Sequence, residues 1–335
     1  MFEIDFLPVG DAGKSGDAIC MRFTRPDSGA TAVVVIDAGF KDDGIALADH
    51  IIAHYGTRTV DLAILTHPDG DHIGGMGKVL RRLDVTKLWL HDIGSHGGDS
   101  LPAADALDDL KAVAASRGTD VYEAWPGATE FGGAITVLGP SKEYYEELVA
   151  EQASKVKPVE KTAARLLESV RSLADRVAGA LGIEVPFDAK EVNARNNSAM
   201  IILGQFNGQT QLFTSDAGVA ALERAWDYAE HAIVPATPSM VQIAHHGSRR
   251  NCSSAWLDRL LGPTNQAANT RSAIVSCVAD SEKHPSGRVV NAYKRRGCFV
   301  VATAGNAVCH NSGGMVRNGW GRASELGPMV EEDDD

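Results

Sequence analysis

The sequence predicts an α/β sandwich with its sheets inside and its helices outside. Three observations carry that reading. Strand-like and helix-like stretches interleave in both halves of the chain, the order that layers helices over sheets. Several strands are short apolar runs that end in polar turns, as in DLAILTH and MVQIAHHGS. With 335 residues, 44% hydrophobic and 23% charged, the chain can bury one large two-layer core or two modest ones. The interleaving favours a single domain over residues 1–330.

The elements follow in order. FEIDFLPVG, AICMRFTR and TAVVVIDAGF alternate with turns and predict a β-meander that ends in Asp-Ala-Gly. IALADHIIAHYG has helical apolar spacing, with Gly56 where a C-terminal cap belongs. DLAILTH is a short buried strand that runs into a polar loop, LPAADALDDLKAVAASRG a helix and AITVLGP a strand. From about 142 to 194 the chain turns charged and helical, with Leu166, Val170, Leu173, Val177 and Ala180 at 3-4 spacing, an insertion between strands. SAMIILGQF, an Asn-Gly turn and TQLFTSDAG then predict a hairpin. MVQIAHHGS, SAIVSCVAD and CFVVATAG are further strands, and the terminal EEDDD, 331–335, reads as a solvated tail.

Composition narrows the function classes. No apolar run approaches the ~18 residues of a membrane span, and MFEIDFLPVG carries acids where a secretory signal carries bases. The expectation is a cytoplasmic protein with no membrane partner. Cys20, Cys252, Cys277, Cys298 and Cys309 are odd in number and form no CxxC, so reduced thiols are expected and not a disulfide framework or thiolate zinc site. A formal charge of −12 excludes a global attraction to nucleic acid; a polyanion must be drawn in locally.

The chemistry concentrates in AILTHPDGDHIGG, residues 63–75. His67, Asp69, Asp71 and His72 follow a strand within six residues, and Gly70, Gly74 and Gly75 let the backbone bend closely around them. Imidazole and carboxylate together suit divalent metals. The stretch alone would also suit a polar surface turn. However, LFTSDAG places Asp216 and VQIAHHGS places His245 and His246 at the ends of other apolar strands, on the same rim. Together they suit a two-metal site in which Asp216 would bridge the ions, which would lower the pKa of a shared water toward neutral.

These motifs resemble the metallo-β-lactamase fold, an αββα sandwich with signature HxHxDH, and within it the hydrolase domain of ComEC-type DNA-uptake proteins. FLPVGDAGKSGDA, VVVIDAG, THPDGDHIGG, NNSAMIIL, LFTSDAG, AHHGS and KHPS fall in that order from Phe6 to Pro285. The resemblance implies a metal-dependent hydrolase, a phosphodiesterase or nuclease acting on DNA or another phosphodiester. It makes His67 and Asp69 ligands of one ion, Asp71 and His72 of the other, with His245 or His246 completing the second. Asp37 would hold a histidine ligand in its tautomer, unless it only caps its turn. Asp71 and His284 are the catalytic candidates; the imidazole of His284 would protonate a leaving oxygen or bind phosphate, or else lie in an exposed loop.

The sequence departs from that signature twice. Asp69 stands in the second histidine's place, and Asn196 and Asn197 stand where the wider fold supplies a histidine upstream of Asp216. A harder site shifts preference from zinc toward manganese or magnesium. Arg249 and Arg250 offer local positive charge or are a solvated pair. PVGDAGKSG resembles a phosphate loop but has Pro8 for the first glycine and a strand after it, so it is not read as one, though Lys14 could touch a substrate phosphate. His91 and His96 are read as members of a Gly-rich surface loop. Other classes stay open: a hydrolase of a lactone, ester or phosphocholine, or a subunit within a partner complex. The insertion would bind a protein partner, a second copy of the chain, or its own domain.

Overall fold

Alternation inside single strands sets the layers. In TAVVVIDA, Val33 and Val35 face one apolar cluster while Val34 and Ile36 face another. The computed structural model describes residues 1–11, 13–154, 184–267, 269–281, 283–312 and 316–331.

The strands in chain order are β1 (Phe2–Phe6), β2 (Gly10–Asp11), β3 (Lys14–Ser15), β4 (Ala18–Thr24), β5 (Thr31–Ala38), β6 (Thr59–Val60), β7 (Leu62–Ile64), β8 (Asp84–Val85) and β9 (Lys87–Trp89). They continue as β10 (Asp120–Tyr122), β11 (Thr129–Glu130), β12 (Ile135–Gly139), β13 (Ile201–Phe206), β14 (Gln209–Phe213), β15 (Met240–Gln242), β16 (Arg271–Val275), β17 (Cys298–Ala302) and β18 (Val308–Asn311). One sheet has the order β10-β9-β7-β5-β4-β1-β18 and the other β11-β12-β13-β14-β15-β16-β17, with β2-β3 and β6-β8 as small pairs.

Three apolar layers result. Phe2, Ile4, Ile19, Met21, Ile36, Ile64, Ile135, Ile202, Phe213 and Ile274 fill the space between the sheets. Outside the first sheet, Val35, Ala63 and Leu88 pack with Leu47, Leu80 and Leu107 from the helices Asp43–His50, Met76–Arg82 and Pro102–Arg117. Outside the second, Leu212, Val241 and Val300 pack with Trp226, Trp256 and Val289 from Val219–Ala232, Ser254–Leu261 and Gly287–Arg295. This is the αββα order that the sequence predicts.

In the first sheet β5, β7, β9 and β10 run parallel, and in the second β14 to β17 do. Their carboxyl ends therefore open on common rims, the usual place for ligands in such sheets. Gly56 and Gly118 end their helices in the left-handed region, at φ +69° and +71°. Asn207 and Gly208, at φ +51° and +72°, turn β13 into β14 as the Asn-Gly signal predicts. All five cysteines are free. Among the described residues no helix is long and apolar enough to cross a membrane.

Some elements differ from the sequence reading. The segment after β7 is not all loop: a short helix, Gly70–Ile73, opens after Asp69, whose backbone carbonyl accepts from the amides of His72 and Ile73. In the insertion, Lys142–Ser154 and Ala194–Asn197 are helical, while the stripe from Leu166 to Ala180 lies outside the described residues. Strand β18 was not foreseen, because VCHN is short and half polar; it pairs with β1. Glu331, expected in the solvated tail, is buried, since Asn291 and Arg295 bind its carboxylate.

The outer face of β1 is charged instead of apolar. Asp5 is fully buried and receives a bidentate Arg317, at 2.9 and 2.8 Å, together with the Tyr55 hydroxyl at 2.8 Å and His50 at 3.0 Å. Burial alone would raise this carboxyl, but the hydrogen bonds from His50 and Arg317 bring it from 3.8 down to about 2. Because the folded value is depressed, the stabilisation is present above 3.8 and is lost as pH falls through about 2. Arg317→Met leaves Asp5 buried without its main partner and should cost about 3 kcal/mol at pH 7. Urea unfolding of both proteins measures this, and the gap between them should narrow as the pH is taken from 4 toward 2.

Candidate metal centre

The centre lies where the carboxyl ends of β5, β7, β14 and β15 meet. Asp37 closes β5 and is the anchor. Its carboxylate accepts from the Thr66 amide at 2.8 Å, the Thr66 hydroxyl at 2.7 Å and His72 Nδ1 at 2.8 Å. Having given its proton to Asp37, the Thr66 hydroxyl accepts from His67 Nδ1 at 3.1 Å. His246 Nδ1 donates to the Ser276 carbonyl at 3.0 Å. Each of these three rings thus engages its partner through Nδ1 and turns inward an Nε2 that is bare when the ring is neutral.

What those nitrogens meet is carboxylate oxygen. His72 Nε2 lies 3.6 Å from Asp216 Oδ1 and 3.9 Å from Asp71 Oδ2; His246 Nε2 lies 3.6 Å from the same Asp71 oxygen. His67 Nε2 lies 3.9 Å from Asp216 Oδ2 and 3.8 Å from Asp69 Oδ2. Two atoms each ~2.1 Å from a shared cation at a tetrahedral angle stand ~3.4 Å apart, so these separations suit ligands around ions. Nε2 of His67, His72 and His246 and Oδ1 of Asp216 are buried without a hydrogen-bond partner. Lone pairs facing lone pairs in a buried site call for cations, and the residues present fit them.

The groups sort into halves around Asp216. His67 and Asp69 lie toward its Oδ2, His72 toward its Oδ1 with Asp71 and His246 beyond. Among the described residues, His67-His72-Asp216, Asp71-His72-His246 and Asp17-Asp216-His246 each bring ligand atoms within 4.8 Å of one another. His245 also turns its Nε2 to Asp216 Oδ2, at 3.5 Å, so the two adjacent histidines reach different sides.

Electrostatics support a demand for positive charge. Burial would lower His72, but the carboxylates of Asp216 and Asp37 push it well above its usual range. His246 is raised against burial in the same way by Asp71 and Asp216. His67 goes down, through burial and then the neighbouring His72. Asp216 is held well below the usual carboxylate range because the surrounding histidines outweigh its burial.

Two residues of the centre escaped the sequence reading. Asp17 is buried, its Oδ1 has no partner, and burial raises its carboxyl. It arrives because the β2-β3 hairpin leans on the metal loop: the Asp17 amide donates to the Asp71 carbonyl at 3.1 Å, and a Cβ on Gly16 would stand 2.6 Å from that oxygen. Its signal was the Gly-Asp of KSGDA, passed over with the rejected phosphate loop. Arg195 Nη1 donates to Asp69 Oδ1 at 3.0 Å. Asp17, Asp37, Asp69, Asp71 and Asp216 with the Arg195 guanidinium would leave four negative charges if all were ionised, the number that two divalent cations match.

His284 is half buried, its ring centroid 6.1 Å from that of His245; burial, then the charges of His245 and His246, push it down to about 4. It is therefore uncharged near pH 7. Arg249 is half buried and Arg250 exposed, and Lys14 is exposed on the hairpin that leans on Asp71. Asn196 reaches Asp216 Oδ2 at 3.4 Å, whereas Asn197 binds the Gly218 amide and so serves the backbone. His91 is no surface residue: it is buried, stacks on Trp125 at 4.0 Å and bonds the Ala124 carbonyl. His96 bridges Glu123 and Glu146 beside it.

Asp37→Asn tests the anchor. Asn tolerates the left-handed backbone that Asp37 adopts at φ +55°, so the fold should persist. The weaker hold on His72 should cut divalent-metal affinity ~10–100-fold, read by titration against a competing chelator.

The profile of the Metallo-beta-lactamase superfamily matches residues 25–141. Solved structures similar to this chain include a metal-dependent hydrolase of the beta-lactamase superfamily, with 13% identity, 93% of this chain and 99% of that one covered, and TM-score 0.48. A diphosphatase of the PhnP family has 10% identity, 92% and 98% coverage and TM-score 0.42. A metallo hydrolase of the archaeon Ignicoccus hospitalis has 12% identity, 92% and 99% coverage and TM-score 0.43. No curated protein gives a match. Residues 25–141 thus carry the superfamily match, and the chain has the αββα sandwich of the metallo-β-lactamase fold.

Proposed function

We propose that the protein is a metal-dependent hydrolase of phosphodiesters, with DNA as the substrate suggested by its resemblance to the hydrolase domain of ComEC-type proteins. The observation that carries the reading is the ring of bare imidazole nitrogens and carboxylate oxygens around Asp216. The superfamily match over 25–141, which contains His67 to His72, supports the metal chemistry. A donor set this rich in carboxylate favours manganese or magnesium over zinc.

Bound divalent ions would acidify water near neutral pH and withdraw charge from a phosphoryl oxygen. His67, Asp69 and Asp216 would hold one ion; Asp71, His72, His246 and Asp216 the other. Asp37 keeps His72 in the tautomer that presents Nε2. Arg195, Arg249 and Arg250 supply cations that an acidic chain otherwise lacks near an anion. His284, neutral through burial, suits a hydrogen bond to a phosphoryl oxygen better than a store of acid. The insertion at about 142–194 is proposed to overhang the entrance or dock a protein partner or second copy.

The test is hydrolysis of labelled single- and double-stranded DNA, bis-p-nitrophenyl phosphate and a lactone, each with manganese, magnesium or zinc. Cleavage of the phosphodiesters with manganese is expected, falling to background in Asp216→Ala. Activity on the lactone alone would favour the small-ester reading. In oxygen-18 water a single turnover should place the label on the product phosphate, and a trapped phosphoenzyme would refute direct attack by water. A Gly/Ser linker in place of 155–183 should lower activity on DNA or abolish partner binding; unchanged behaviour would leave the insertion with packing alone.

A further inference from the structure

The two histidines of AHHGS do not share one task. Both have left-handed backbones, His245 at φ +48° and His246 at φ +55°, and Gly247 follows at φ +82°. A run of such residues turns successive side chains sharply, at a cost that is tolerated where geometry is functional. Here the turn sends His246 to Asp71, at 3.6 Å, and His245 to Asp216 Oδ2, at 3.5 Å. That second oxygen is the one His67 faces, at 3.9 Å.

The tautomer of His245 can be assigned from its neighbours. Asn251 Nδ2 donates to the carbonyls of Asp216 and Ala217 at 2.8 and 3.2 Å, which leaves Asn251 Oδ1 to accept. That oxygen lies 3.0 Å from His245 Nδ1. The Asn196 amide nitrogen competes for the same ring atom but is farther, at 3.2 Å. Nδ1 therefore carries the proton and Nε2 presents its lone pair toward Asp216; unlike the three buried rings, His245 is part exposed and its Nε2 also lies 3.5 Å from the Asn196 amide nitrogen. A lone pair 3.5 Å from a carboxylate oxygen is an arrangement that a shared cation favours.

Resting on the dinuclear reading above, we infer that His245 is the fourth protein ligand of the ion held by His67, Asp69 and Asp216. It does the work of the histidine that the chain lacks at Asn196, whose amide lies 3.4 Å from the same Asp216 oxygen. The first ion is then held by His67, Asp69, Asp216 and His245, the second by Asp71, His72, Asp216 and His246.

Metal content after reconstitution with manganese and dialysis is the readout, by elemental analysis, with circular dichroism to confirm folding. Wild type should hold two ions per chain, and H245A and H245Q one. Adding N196H to H245A should restore the second, because the new imidazole starts beside the same oxygen. Two ions retained in both single variants, with only KM raised, would make His245 a substrate contact and overturn the inference while leaving the dinuclear reading intact. Less than one ion in wild type would overturn both.

Discussion

The Asp37 carboxylate, buried at the end of β5, is the constraint from which the centre is built. It takes three hydrogen bonds, two from Thr66 and one from His72, and so pins the backbone of the metal loop and one ring within it. Thr66 passes the restraint on in two directions. Its hydroxyl lies 3.1 Å from His67 Nδ1 and 2.7 Å from the Ser215 hydroxyl, and Ser215 precedes Asp216 on the other sheet. One carboxylate therefore ties the rims of both sheets together through a single threonine. A buried network of this kind holds its geometry only when every member is satisfied, which is why its inner edge, where Nε2 atoms meet carboxylates, is the place that needs cations.

Backbone strain collects at the same points. Asp37, Ser215, His245 and His246 all have positive φ, at 55°, 46°, 48° and 55°. Each costs ~1 kcal/mol relative to an ordinary conformation. Such residues persist only where their surroundings over-determine them, and each of these is bound by the network or by a strand end. The strain aims side chains: without it, consecutive residues at a strand end would point to opposite faces.

The layers and the convergence of the candidate ligands were legible because both depend on local pattern. Alternation in TAVVVIDA and the apolar run of DLAILTH define buried strands, and polar ligands at strand ends need only those strands to be parallel to converge. Asp17 was not legible, because its role comes from a hairpin folding onto the metal loop, a contact between residues far apart in sequence. Arg195 was hidden for a similar reason: it enters from the end of the insertion to meet Asp69. His91 reads as surface because a Gly-rich stretch follows it, yet Trp125 and Tyr145 come from elsewhere to cover it. Strand β18 needed β1 as a template, since its own four residues lack a pattern.

Charge joins the centre to the substrate proposed for it. At −12 the chain repels a polyanion, and screening confines that repulsion to about 8 Å at physiological ionic strength. Inside that range the sign is set by a few groups: the carboxylates around Asp216, Arg195 on Asp69, and whatever cations the site holds. Without metal ions the carboxylates of Asp69, Asp71 and Asp216 would be offset only by Arg195 and by protons on His72 and His246, both of which are raised. With two divalent ions and Arg195 the five carboxylates of the centre are balanced, and the repulsion at the point of reaction is removed. The metal that would supply the chemistry is thus also what would let an acidic protein accept an anionic substrate, so binding and catalysis would be lost together when it is removed.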